Sequence, residues 1–220
     1  YYIQATGARE WGRGKVKASE LKSAEQEIPL FPLSGVLVPF GQISLQIFEQ
    51  RYLDLVRTCM KSDTGFGVIW IRQGAEVVGT SNAHLDLGEW GTYARIVDWD
   101  QLPNGLLGIT IEGQETFCLS ETRTATSGQI YGNATLSGNP QSAAMVPQWS
   151  SLADVLRGLE AHPHVQQMNL DIDYENAWQV GYTLLQLLPL EESLKYELLG
   201  SESLEAMMTG LDATLNEISG

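Results

Sequence analysis

The stretch from Ile28 to Tyr52, IPLFPLSGVLVPFGQISLQIFEQRY, constrains the fold more than any other part of this chain. An apolar segment with Pro29 and Pro32 runs into Gly35, and a second apolar segment ends at Pro39-Phe40-Gly41. Ile43, Leu45 and Ile47 then alternate with Ser44, Gln46 and Phe48, as in a strand with one buried face. Directly after it, Tyr52, Leu55, Val56 and Cys59 fall at helical spacing. The expected unit is strand, turn, strand and then a helix over 49–60. It carries no obvious catalytic group.

Further strands follow. FGVIWI (66–71), TYARIVDW (92–99), GLLGITIEG, ETFCLSETR and QIYGNATL each read as one. Pro103-Asn104-Gly105 signals a hairpin, because Asn and Gly tolerate positive backbone angles. Short strands and turns favour a small barrel or folded mixed sheet over a doubly wound α/β domain, with the helix after Phe48 able to cover an open end or seam of such a barrel. Beyond the connector at Asn139-Pro140, the pattern turns helical. Leu152, Val155, Leu156 and Leu159 form one stripe, capped by Ser150 or Ser151 and ended by Pro163. A second helix starts near Asp173, and two more surround Gly200. The predicted class is α+β: a β-barrel subdomain over 27–138, then a helical subdomain of three to five helices over 139–220. Residues 1–26 show no single period and read as a flexible arm, made basic by Arg9, Arg13, Lys15, Lys17 and Lys22.

The formal net charge of −14 disfavours a nucleic-acid partner, since phosphate binding needs positive charge. Most of the excess is local: residues 151–220 hold 12 acidic groups against Arg157 and Lys195, a formal charge of −10. Opposite charges on arm and helical half allow two copies to associate. Cys59 and Cys118 form no disulfide framework and are expected to be packed side chains, which fits a reducing compartment. No run approaches the length of a membrane helix, and the start has no long hydrophobic signal segment. Cytoplasm is the simplest location.

The opening stretch IPLFPLSGVLVPFGQISLQIFEQRYLDLV resembles the substrate-binding N-terminal domain of the ATP-dependent protease Lon, which also occurs alone as a small bacterial protein. FGVIWI, GTYARIVDWDQLPNGLLGITIEG and LLQLLPLEESLKYELLGSESLEAMM match in order and spacing, so the resemblance spans most of 27–209. It implies a PUA-like β pseudobarrel followed by a small helical bundle. It also implies a role in recognising unfolded or tagged polypeptide, and in the full protease a part in arranging the hexamer. Phe48, Glu49, Arg51 and Tyr52 match the family's IFE-x-RY motif. Gln50 replaces the usual proline there, and Lys195-Tyr196 replaces a lysine-glutamine pair.

The four motif residues read as structural. Glu49 and Arg51, two apart, do not share a helix face, so each is expected to anchor separate groups. Catalysis is not expected. There is no GxxxxGK[ST] phosphate loop and no G-x-S-x-G elbow, and nothing resembles the later domain that holds the family's serine-lysine pair. Lys195 reads as a solvent-facing helix lysine. His162-Pro163-His164 reads as a surface loop, without the ligands to complete a metal site. No cofactor is called for. Among the six tryptophans, Trp90 is the preferred exposed anchor for a polypeptide, because glycines surround it as in a loop. Trp99 is expected beside it across the next hairpin. The leading function is non-catalytic binding of unfolded or tagged polypeptide. The alternative is a structural or regulatory module for one specific folded protein partner.

Overall fold

The computed structural model describes residues 25–73, 85–138, 140–168 and 170–219. The basic arm as far as residue 24, with Trp11, and His84 lie outside them. Six strands form one sheet: β1 (Gln26–Leu33), β2 (Gln42–Ile47), β3 (Phe66–Gln73), β4 (Asp86–Gln101), β5 (Leu107–Thr124) and β6 (Ile130–Leu136). Their order is β2-β5-β4-β3-β1-β6, and β5 pairs again with β6, which closes the last five into a ring. β5 makes this closure possible through its length. Its first half lies between β2 and β4, and its second half reaches β6, so Phe117 is in register with both Gly91 and Leu136.

GLLGITIEG and ETFCLSETR are therefore one strand of 18 residues, where the sequence suggested two. β4 is likewise longer than the TYARIVDW segment. Register shifts between Tyr93 and Ala94, between Ile96 and Asp98, and between Leu119 and Glu121 bend these strands around the barrel. Such bulges break the alternation that would have marked one continuous strand. The two prolines of β1 also find their reason in the register. Pro29 faces only β6 and Pro32 only β3, so each sits where β1 has a single paired neighbour and a missing N–H can be tolerated.

α1 (Gln50–Ser62) follows β2 and packs into the barrel. Its Tyr52, Leu55, Val56 and Cys59 are buried with Phe31, Leu37, Ile47, Phe66, Ile109 and Ile111. The helix stops at Asp63, which takes a left-handed conformation and returns its N–H to the Cys59 carbonyl. Ile28, Leu30, Ile69, Phe117, Ile130 and Ala134 fill the other part of the barrel.

A 3₁₀ turn at Pro147–Trp149 leads into α2 (Ser150–Glu160), α3 (Pro163–Gln166), α4 (Ala177–Leu187), α5 (Glu192–Leu199) and α6 (Leu204–Ser219). Ser150 opens α2 without capping it; its hydroxyl donates to the Pro147 carbonyl. His162-Pro163-His164 is part of a one-turn helix, with proline at its first position. α4 starts at Ala177, later than Asp173, because Asn176 supplies the cap by accepting from Trp178 N. Seven of the eleven residues of α4 are buried, so it is the central helix of the bundle. The bundle core also takes in Val36 and Val38 from the segment after β1.

Candidate functional site

β3 pairs with β4 only as far as Ala94. Beyond it, among the described residues, β4 has a partner on one side only, β5. This projecting half carries two exposed apolar side chains, Val97 and Trp99. Trp99 is 59% exposed and Val97 49%; Met60, at the end of α1, is 45% exposed. Trp99 is in register with Ile109, and Ile109 with Leu45, so the indole continues a row whose central member is buried in the barrel. The hairpin that holds it turns at Pro103-Asn104-Gly105 as expected. Gly105 has φ +83°, and Asn104 Oδ1 accepts from Leu106 N.

Two depressions border Trp99. One, about 420 Å³, lies between the end of α1 and the unpaired side of β4; Cys59, Met60, Asp63, Ile96 and Val97 are among its walls. The other, about 210 Å³, lies toward β2 and is lined by Leu45, Ile109, Asp98 and Asp100, among others. Asp98 Oδ1 accepts from Trp99 N, and Asp100 Oδ1 accepts from Gln101 N. These bonds satisfy backbone donors that a bare strand edge would offer to another chain. Burial pushes the Cys59 thiol up from the ordinary value, with a smaller opposing contribution from a hydrogen bond to Thr64. Burial likewise raises Cys118, with Glu89 adding to it.

Trp90 is not in a loop. It is an interior residue of β4, partly buried, paired with Cys118 and lying against Gly200 of the bundle. Nor is it across a hairpin from Trp99. Both belong to the same strand, nine residues and about 30 Å of extended chain apart. The structure therefore does not bring these two together.

The motif residues divide as well. Arg51 and Glu49 pair directly, Nε to Oε2 at 2.8 Å, because Glu49 stands outside the helix and the spacing of a helix face does not apply to it. Arg51, with a side chain only 8% exposed, also donates to the Gly128 carbonyl. Tyr52 stacks on Phe31, with ring centroids 4.1 Å apart. Phe48 departs from this group: it is 57% exposed, outside the core. Ile47, Leu107 and Gln101 share a register row, so Phe48 stands at the same end of the sheet as Trp99.

A third cavity of about 400 Å³ opens between α1 and the β1 and β6 strands. Much of its polar lining is already spent on the chain. Arg51 is held as above, Gln129 Nε2 donates to the Leu30 and Ile130 carbonyls, and the Tyr93 hydroxyl accepts from Gly65 N. Among the described residues no group of three or more His, Cys, Asp or Glu is placed to hold a metal ion. No described helix is long and apolar enough to cross a membrane.

The fold is a closed barrel joined to a helical bundle, with exposed apolar side chains on a projecting hairpin. The chain belongs to the family described as the ATP-dependent protease La (LON) substrate-binding domain, whose family model matches residues 27–211. Among solved structures, a Lon N-terminal domain protein from Xanthomonas campestris is 30% identical, with a TM-score of 0.69, over 86% of this chain and 98% of that one. The N-terminal domain of the Mycobacterium avium complex Lon protease shares the fold at 11% identity and a TM-score of 0.55, over 85% of this chain and 97% of its own. A search of curated proteins finds no match.

Proposed function

We propose that this chain binds unfolded or tagged polypeptide without acting on it chemically, and that Trp99 is the anchor. The observation that carries the reading is the 59% exposure of Trp99, beside Met60 and Val97, in a substrate-binding family. A client side chain laid on this shelf removes apolar area from water on both partners. Trp90 becomes a residue of the joint between barrel and bundle. The absence of a phosphate-loop motif and the raised Cys59 thiol support binding without catalysis.

The test is calorimetry with a panel of unfolded proteins and peptides, without nucleotide. Saturable binding is expected, weakened at least tenfold in Trp99→Ala, because aromatic anchors commonly contribute about 2 kcal/mol or more. Trp99 is exposed, so the variant should keep its melting temperature. No binding across a broad panel would refute the proposal. The −10 charge of residues 151–220 favours a second reading, a module for one folded basic partner. Affinity purification that returns one stoichiometric folded protein, lost as salt rises, would favour that reading over general client binding.

A further inference from the structure

Resting on the polypeptide-binding reading, we infer that the free edge of β2 takes up an extended client segment as an added antiparallel strand. β2 stands outside the barrel ring, and among the described residues β5 is its only strand partner. The ladder shows which main-chain groups remain. Gly113 N donates to the Gly41 carbonyl, and six pairs follow in the same register without a shift, from Gln42 with Glu112 to Ile47 with Leu107. In an antiparallel pair, bonded and non-bonded positions alternate. Ile43, Leu45 and Ile47 therefore bond to β5, while Gln42, Ser44 and Gln46 turn their N–H and carbonyl groups outward. Two contacts agree with this phase. The Gln42 carbonyl accepts from α4 instead, through Gln186 Nε2. The Ser44 and Thr110 hydroxyls approach to 3.5 Å, as side chains of a non-bonded pair do.

Beyond Gln42 that edge is bare. Ser44 and Gln46 are exposed, and among the described residues nothing hydrogen-bonds to their outward main-chain groups. The devices that usually blunt an edge are missing, since β2 carries no charged residue, no proline and no bulge. The unpaired side of β4 differs: Asp98 and Asp100 occupy the N–H groups of Trp99 and Gln101. Strand addition is thereby directed to β2. The fold also sets the pattern such a strand must carry. Ile43 and Leu45 pack against the barrel core, so client side chains opposite them meet that apolar face. A residue opposite Leu45 takes the next place in the row of Trp99, Ile109 and Leu45. Client residues opposite Ser44 and Gln46 exchange the hydrogen bonds and turn their side chains to the other face. The fit is to a segment with apolar residues at every second position.

The test uses the whole chain and a peptide of alternating valine and threonine with lysine at both ends. Valine should face Ile43 and Leu45, which leaves the threonine N–H groups to bond with β2. N-methylation of the threonines should weaken binding at least about tenfold, because each loses a hydrogen bond and brings a methyl group against the edge. N-methylation of the valines, whose N–H groups face solvent, should change it less than about threefold. In the free protein the amides of Ser44 and Gln46 should exchange faster than those of Ile43 and Leu45, and saturating peptide should slow them. Saturable binding that leaves both amides unchanged, or that is equally sensitive to methylation at either residue type, would overturn the edge and leave polypeptide binding standing. No binding of this peptide, where calorimetry shows binding of unfolded proteins, would do the same. No binding of any polypeptide in either experiment would overturn both.

Discussion

Arg51 and Tyr52 show how one dipeptide ties a helix to a barrel. The Arg51 guanidinium reaches back to Glu49, forward to the Gly128 carbonyl, and lies 4.4 Å above the Tyr52 ring. That ring also stacks on Phe31 of β1, and the residue is only 5% exposed. Tyr52→Ala would remove the stack and leave a cavity between α1 and β1. The expected cost is about 3–5 kcal/mol, as for other large aromatic truncations. Tyr52 lines neither depression beside Trp99, so affinity per folded molecule should hold. Thermal unfolding and peptide titration on the same preparation check both halves of this prediction. An unchanged melting temperature with lost binding would move Tyr52 from packing into recognition.

At the scale of elements, α5 joins the two halves of the molecule. Glu192 Oε2 accepts from Val36 N at 2.6 Å, and its other oxygen accepts from Lys195 Nζ at 3.1 Å. Lys195 is thus 15% exposed and paired, not solvent-facing. The Tyr196 hydroxyl accepts from Glu89 N and Trp90 N, and its ring packs on Trp70 at 4.9 Å. A side chain at Gly88 would meet that ring at 2.7 Å, which is why the strand carries glycine there. Tyr196→Phe keeps the ring but leaves two strand N–H groups without this acceptor. Stability should fall by about 1 kcal/mol, the usual net value of a partly exposed hydrogen bond. Amide exchange at Glu89 and Trp90 should accelerate while exchange in α4 stays slow; unchanged exchange at both sites would refute the role. How much of this was legible follows from locality. α1 was readable because Tyr52, Leu55, Val56 and Cys59 repeat within one helix. The full lengths of β4 and β5 were not, because bulges interrupt their alternation. Trp99 entered the reading only as the expected neighbour of Trp90 across a hairpin, and the two instead share one strand. Its neighbour Met60 comes from a different element, and no sequence spacing links the two.

The segment after β1 buries side chains in the bundle core, and this governs how the whole molecule responds to pH. Val36 and Val38 are buried among side chains of α2, α4, α5 and α6, and Phe40 packs against Tyr182 of α4 at 6.4 Å between ring centroids. Neither half can unfold without exposing apolar surface of the other, so a single cooperative transition is expected. Tyr182 is 4% exposed, and burial pushes its phenol well above the ordinary value of 10. Tyr174 is raised to about 12, by burial first and then by its hydrogen bond to Glu160. A raised folded-state value means that the native protein holds a proton which the unfolded chain releases near pH 10. The stability tied to that proton is fully present below pH 10 and is lost as pH rises toward the folded value. For Tyr182 the slope is about 1.4 kcal/mol per pH unit above 10. Urea unfolding at pH 8 and near pH 11 should show this loss, with tryptophan near-UV and helical far-UV signals moving together. Tyr182→Phe removes the titrating group and keeps the ring, so it should flatten the alkaline decline; a decline of equal steepness in that variant would show that the proton is held elsewhere.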